Sequence, residues 1–212
     1  MTTSQILSQT AEINRALDNH ETTAAQALLR KLMGGLQDDI YKAERKSKGE
    51  LSALKAAQRI LKNARDDGRV ALAYPWTDKQ GRQVVCDGFR LARLNEPLPL
   101  PERPADLKYI NYPAFLEPAI QSRSERLEAP EASKLSAHIK IVKPTLPKGG
   151  VVKWDFGDGL PQVNAQYLLE LLALLPGASL YCTGKNPLIS PIYFESESGD
   201  GVLMPVRKGQ PD

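Results

Sequence analysis

The segment Asn164-Ala-Gln-Tyr-Leu-Leu-Glu-Leu-Leu-Ala-Leu-Leu-Pro-Gly177 constrains the fold of this 212-residue chain more than any other. Asn164 offers the side-chain oxygen that caps a helix start, and Pro176-Gly177 ends the helix. Leucines 168, 169, 171, 172, 174 and 175 cover most of the circumference between them. A helix that is apolar nearly all round has no solvent face, so it predicts deep packing against a sheet. Two short strands are expected after it, the second running into Met204-Pro-Val-Arg207.

Composition bounds the classes available. Apolar residues make up 42% of the chain, enough for a real core. The 28 Lys and Arg nearly balance the 25 Asp and Glu, leaving a net charge of +3. A basic footprint for nucleic acid must therefore be local. The start has no charged stretch leading into an apolar one, and no apolar run approaches membrane-spanning length. A cytoplasmic protein that does not engage a membrane, with Cys86 and Cys182 reduced, is the expectation. His20, His138 and the two cysteines show no ligand spacing, so no metal and no cofactor is expected.

Along the chain, residues 3 to 33 read as helical, with Ile6, Ile13 and Leu17 on one stripe and Ala24, Ala25, Leu28, Leu29 and Leu32 on a second. Asp18-Asn-His-Glu21 is the break between them, and Gly34-Gly35 is the expected stop. Residues 36–49 fit a solvated helix or a linker equally well. A helix is predicted from Leu51 to Arg65, a strand over 70–77, a turn at Asp78-Lys-Gln-Gly81 and a return strand over 82–94. Residues 95–105 carry four prolines and read as extended. Residues 112–135 suit a helix or surface insertion broken at Pro118 and Pro130. Strands are expected at 138–142 and 151–156, with a turn over 157–161.

Residues 51–94 and 164–207 then share one order: helix, strand, Gly-containing turn, strand. Trp76-Thr-Asp-Lys-Gln-Gly-Arg-Gln-Val-Val stands against Phe194-Glu-Ser-Glu-Ser-Gly-Asp-Gly-Val-Leu. Units of this kind cannot bury a sheet face alone, and pairing two buries both.

Two motifs carry a resemblance. Cys86-Asp-Gly-Phe-Arg-Leu-Ala92 is similar to the Thr-Asp-Gly-x-Arg-Leu-Ala strand end of bacterial sliding clamps, the beta subunits of DNA polymerase III. Tyr167-Leu-Leu and Met204-Pro-Val-Arg207 resemble the Tyr-Leu-Leu helix and terminal Met-Pro-Met-Arg of the same family. The resemblance covers Leu51 to Lys208 and implies an α+β fold. A single DNA-clamp-like domain of two helix–strand–strand halves would occupy residues 49–208, preceded by an N-terminal helical segment and linker over residues 1–48. Bacterial clamps carry three such domains per chain, so a ring would need several copies and a homo-oligomer is expected.

In the family these motifs line the apolar pocket that captures client peptides. Carried to the matching positions, the resemblance implies peptide-binding walls of Gly88, Phe89, Arg90 and Leu91, and of Met204, Pro205, Val206 and Arg207. The family's walls come from neighbouring domains. In one domain they would meet across a contact between molecules, or not at all. Met suits a groove that accepts varied side chains.

The resemblance also implies helices facing duplex DNA. Lys55, Arg59 and Lys62 occupy an arc of roughly 60° on the predicted helix, with Arg65 near its end. Such residues contact phosphates without reading sequence, although an ordinary solvated face is equally basic. The expected partners are duplex DNA and a client peptide or replication protein. No set of nucleophile, base and orienting group assembles. Asp155-Phe-Gly157 reads as a turn, Asp155, Asp158 and Asp200 fit no calcium loop, and Cys86 reads as an inert thiol. The chain reads as a non-catalytic, replication-associated protein. The alternatives are a clamp-derived interaction module without DNA binding, and a small hydrolase or nuclease.

Overall fold

In a computed structural model, which describes residues 3–19, 21–47, 50–107 and 111–206, the chain divides into two units, residues 1–51 and 52–212. In the first unit, α1 (Thr3–Asp18) and α2 (Thr22–Ser47) pack against each other. Ile13 and Ala16 of α1 and Ala25 and Leu32 of α2 are buried. The break falls at the polar run, where the Asn19 amide donates to Arg15 O at 3.1 Å. Gly34-Gly35 does not stop the helix. Neither glycine takes the positive φ of a C-cap, so each only weakens the helix interior, by about 1 kcal/mol. The stretch from residue 36 is thus helix as far as Ser47.

The second unit is mixed α+β. It takes in α3 (Glu50–Asp66) from Ser52 onward, followed by β1 (Trp76–Thr77), β2 (Gln83–Cys86) and β3 (Arg90–Leu94). Then come α4 (Pro113–Gln121), β4 (Arg123–Leu127), α5 (Ala132–Val142), β5 (Lys153–Asp155) and β6 (Gln162–Asn164). The chain finishes with α6 (Ala165–Leu174), β7 (Ser179–Thr183), β8 (Ile192–Ser196) and β9 (Gly199–Leu203). Asn164 caps α6 as expected, its Oδ1 accepting from the Gln166 and Tyr167 amides at 3.0 and 3.3 Å.

Several expectations are corrected. The strand over 70–77 is mostly a 3-10 turn (Val70–Leu72), closed by Ala73 N donating to Val70 O, and only Trp76 and Thr77 pair in the sheet. The return strand over 82–94 is two strands. Asp87 Oδ1 accepts from the Phe89 and Arg90 amides, and Gly88 takes φ 91°, turning the chain back. The strand over 138–142 is the end of α5, where Leu135 and Ile139 bury one stripe at i, i+4. Five alternating residues look the same in either conformation until a neighbour is known. Pro118 lies inside α4 instead of breaking it, and β4 adds a strand where a helix or insertion is expected. Three strands, not two, follow α6.

The main sheet is antiparallel, in the order β1-β2-β3-β9-β8-β7-β4, with a separate β5-β6 ribbon. It holds two three-stranded meanders, β1-β2-β3 and β7-β8-β9, each preceded by a helix, α3 or α6. They join where β3 pairs with β9, from Arg90↔Leu203 to Leu94↔Gly199. Each half of the second unit is therefore a helix and three strands. The correspondence is also in a different register from the Trp76–Phe194 match. Gln83↔Leu94 closes the β2–β3 hairpin as Ile192↔Leu203 closes β8–β9, so Gln83 corresponds to Ile192 and Leu94 to Leu203.

Both sheet faces are buried. Val85, Ala92, Phe194 and Leu203 pack with Ala57, Ile60 and Leu61 of α3, Leu135 of α5, and Leu168, Leu171 and Leu175 of α6. Their strand neighbours Val84, Leu91, Tyr193 and Val202 point the other way and meet Leu116 and Ala119 of α4.

Candidate peptide- and DNA-binding sites

The two motifs meet within one chain. Because β3 pairs with β9, the turn before β3 lies beside the segment after β9, and the Met204 amide donates to Phe89 O at 2.8 Å. The Val206 amide donates to Gln162 O at 2.7 Å, so residues 204–206 are tied at both ends. Gly88, Phe89 and Met204 are exposed, and Pro205 and Val206 are half-buried. Arg69 lies with its guanidinium 4.5 Å from the Phe89 ring centre and donates to Asp87 O at 2.6 Å. On the other side the Phe89 and Tyr167 ring centres are 6.2 Å apart.

Arg90 and Leu91 are not part of that surface. Leu91 faces α4. Arg90 is 1% exposed: its Nε donates to Asp87 Oδ2 at 3.0 Å, its Nη1 donates to Glu170 Oε2, and its guanidinium stacks 4.0 Å from the Tyr167 ring centre. Glu170 Oε1 accepts from Gln166 Nε2 at 2.6 Å and lies 3.4 Å from Arg59 Nη1. A guanidinium between two buried carboxylates is tolerable only because its charge is matched inside the protein. Burial, seconded by the Asp87 carboxylate, pushes the Tyr167 phenol above its ordinary range. Arg207 lies outside the described residues, so the second wall is described through Val206.

The basic face of α3 is at the surface. Lys55, Arg59, Lys62 and Arg65 are all exposed, while Ala57, Ile60, Leu61 and Ala64 are buried behind them. Two of the four already have acid partners, Lys62 with Asp66 and Arg59 with Glu170. Lys55 and Arg65 make no ion pair with the described residues, and they offer the freest charge to an outside anion.

Nothing in the sequence points to a pocket of about 570 Å³ on the opposite sheet face, between the β1–β2 turn and α4. Its polar groups serve one another. Burial works against the Asp78 carboxylate, but the Arg82 and Gln80 amides, the Arg82 side chain and the Tyr112 hydroxyl outweigh it and hold its pKa below the usual value. Likewise burial opposes the charge on Arg93, and the Asp200 carboxylate more than restores it.

Asp155, Asp200 and His138, weighed for chemistry, have structural partners. Asp155 Oδ1 accepts from the Gly157 amide at 3.0 Å within the turn, and Asp200 pairs with Arg93. His138 Nε2 lies 2.9 Å from Lys153 O, with its ring edge-on to Trp154. Burial pushes the Cys86 thiol up to about 11. Among the described residues no three His, Cys, Asp or Glu gather as metal ligands, and no helix is long and apolar enough to cross a membrane.

No protein-family model matches the chain, no curated protein matches it, and no solved structure matches its fold.

Proposed function

We propose that this chain is a non-catalytic, sliding-clamp-like protein that acts in DNA replication by docking a client peptide and resting on duplex DNA. The observation that carries the reading is the junction of the two meanders. The β3–β9 pairing sets Gly88-Phe89 against Met204-Pro205 within one molecule, so a client needs no second copy to meet both segments. The patch suits an apolar peptide side chain: Phe89 and Met204 supply adaptable apolar surface, and Arg69 flanks it. Arg90 serves as the buried anchor of the turn and does not contact the client.

DNA contact in this reading falls to Lys55 and Arg65, backed by Arg59 and Lys62, whose charges Glu170 and Asp66 partly offset; all four would meet phosphates irrespective of sequence. Retention on duplex DNA should weaken with salt. A Lys55→Ala/Lys62→Ala/Arg65→Ala variant should lower the slope of log affinity against log salt by about 0.9 for each phosphate it no longer neutralises. Indifference to both salt and substitution ends the DNA claim. Separately, a clamp-binding peptide should shift the resonances of Phe89 and Met204, and a spectrum unchanged at saturating peptide ends the groove claim.

One observation favours the reading without DNA. Arg59 and Lys62 are engaged by Glu170 and Asp66, which leaves a thin basic surface. Peptide binding without DNA retention would select an interaction module.

A further inference from the structure

The first unit carries a surface that its own two helices do not cover. α1 and α2 are linked by residues 19–21 and pack against each other, so they run antiparallel. Few of their described side chains are buried in the shared core. Among the described residues of this unit, only Ile13, Ala16, Ala25 and Leu32 are buried, while Leu7, Leu17, Leu29 and Met33 are 66, 50, 45 and 59% exposed. Four buried side chains over this stretch are few for a self-sufficient core.

The exposed residues are not scattered. At about 100° per residue, Leu17 and Leu7 lie about 70° and 150° round α1 from the direction of Ile13 and Ala16. Leu29 and Met33 lie about 50° and 90° round α2 from the direction of Ala25 and Leu32, in the same rotational sense. In antiparallel helices whose cores face each other, the same sense of rotation points to the same side of the pair. Leu17, Leu29 and Met33 therefore open on one flank, with Leu7 at its outer margin. Thr10, Asn14, Thr22 and Gln26 fall between them, all exposed and uncharged. Glu12 and Lys31 lie round the other way, and Arg30 sits at the outer margin.

We propose that this flank is the interface with a second copy of the same chain, two hairpins closing into a four-helix bundle. A two-fold contact lays a patch against itself, so any charge in it faces its like. This flank is apolar and uncharged at its centre, which is the composition such a contact requires, and a partner of opposite charge would find nothing to pair with. Four helices would enclose the leucines that two leave in water. Dimerisation of this kind is independent of the proposed function.

Sedimentation equilibrium of the full chain tests it. The native protein should have the mass of a dimer at micromolar concentration. Leu17→Glu/Leu29→Glu and Leu17→Lys/Leu29→Lys should each be monomeric, and an equimolar mixture of the two should recover the dimer mass. That recovery shows that the variants remain folded. Ala24→Glu, on the opposite flank, should leave the dimer intact. A monomeric native chain, a dimer that survives both substitutions, or a mixture that stays monomeric would each overturn the proposal.

Discussion

Glu170 is 4% exposed and is the one charged residue of a leucine-rich helix, and it holds three elements together. Its two oxygens serve Arg90 of β3 and Gln166 of its own helix, with Arg59 of α3 beside them. Removing one partner of such a group leaves an uncompensated buried charge. Glu170→Ala should therefore lower the free energy of unfolding in urea by about 3–5 kcal/mol, and Glu170→Gln, which keeps an acceptor, by less. A midpoint unmoved by Glu170→Ala would mean that Arg90 is balanced by Asp87 alone. The sequence carries half of this information. A lone carboxylate on a helix apolar all round must meet a counter-ion on whatever it packs against, but choosing Arg90 requires knowing which strand lies beneath. The motif around Arg90 resembles a binding wall and so points it at a client, whereas its neighbours in space draw it inside the protein.

The elements show where local signals suffice. Asn164, the Asp78–Gly81 turn and the Asp18–Glu21 break act within a few residues of themselves, and each lies where expected. Gly199 shows how tightly the second hairpin is fixed against its neighbour. It holds φ 142°, and a Cβ there would lie 2.0 Å from Arg93 O on β3. Gly199→Ala should thus destabilise the sheet by more than about 1 kcal/mol, since the new methyl meets backbone that cannot rotate aside. A thermal melt unchanged by this substitution would contradict the close β3–β9 approach. The equivalent position in the first meander is Arg90, an ordinary extended strand residue. The halves share topology while their turns solve different steric problems, which is why letter-by-letter matching sets them in the wrong register.

At the scale of the whole molecule, the two units divide near residue 51. The second has the core on both sheet faces, so it should fold without the first. A chain starting at Glu50 should keep its β-sheet circular dichroism and a single cooperative urea transition, and it should sediment as a monomer. Loss of cooperativity on this truncation would show that the N-terminal helices stabilise the sheet directly.

The sequence by itself determined the α+β class, the leucine-rich helix with its cap and stop, the basic stripe on α3 and the existence of two related halves. These rest on caps, turns and periodicity, which are written within one or two turns of chain. Only the tertiary structure decided that residues 138–142 are helix, that each half has three strands, that Phe89 lies beside Met204, and that Arg90 is buried against Glu170. Those outcomes depend on partners outside the local stretch: β3 meets β9 from Arg90 to Leu203, and Arg90 meets Glu170, 80 residues away. A short apolar run takes its conformation, and a charged side chain its exposure, from the surface that packs against it.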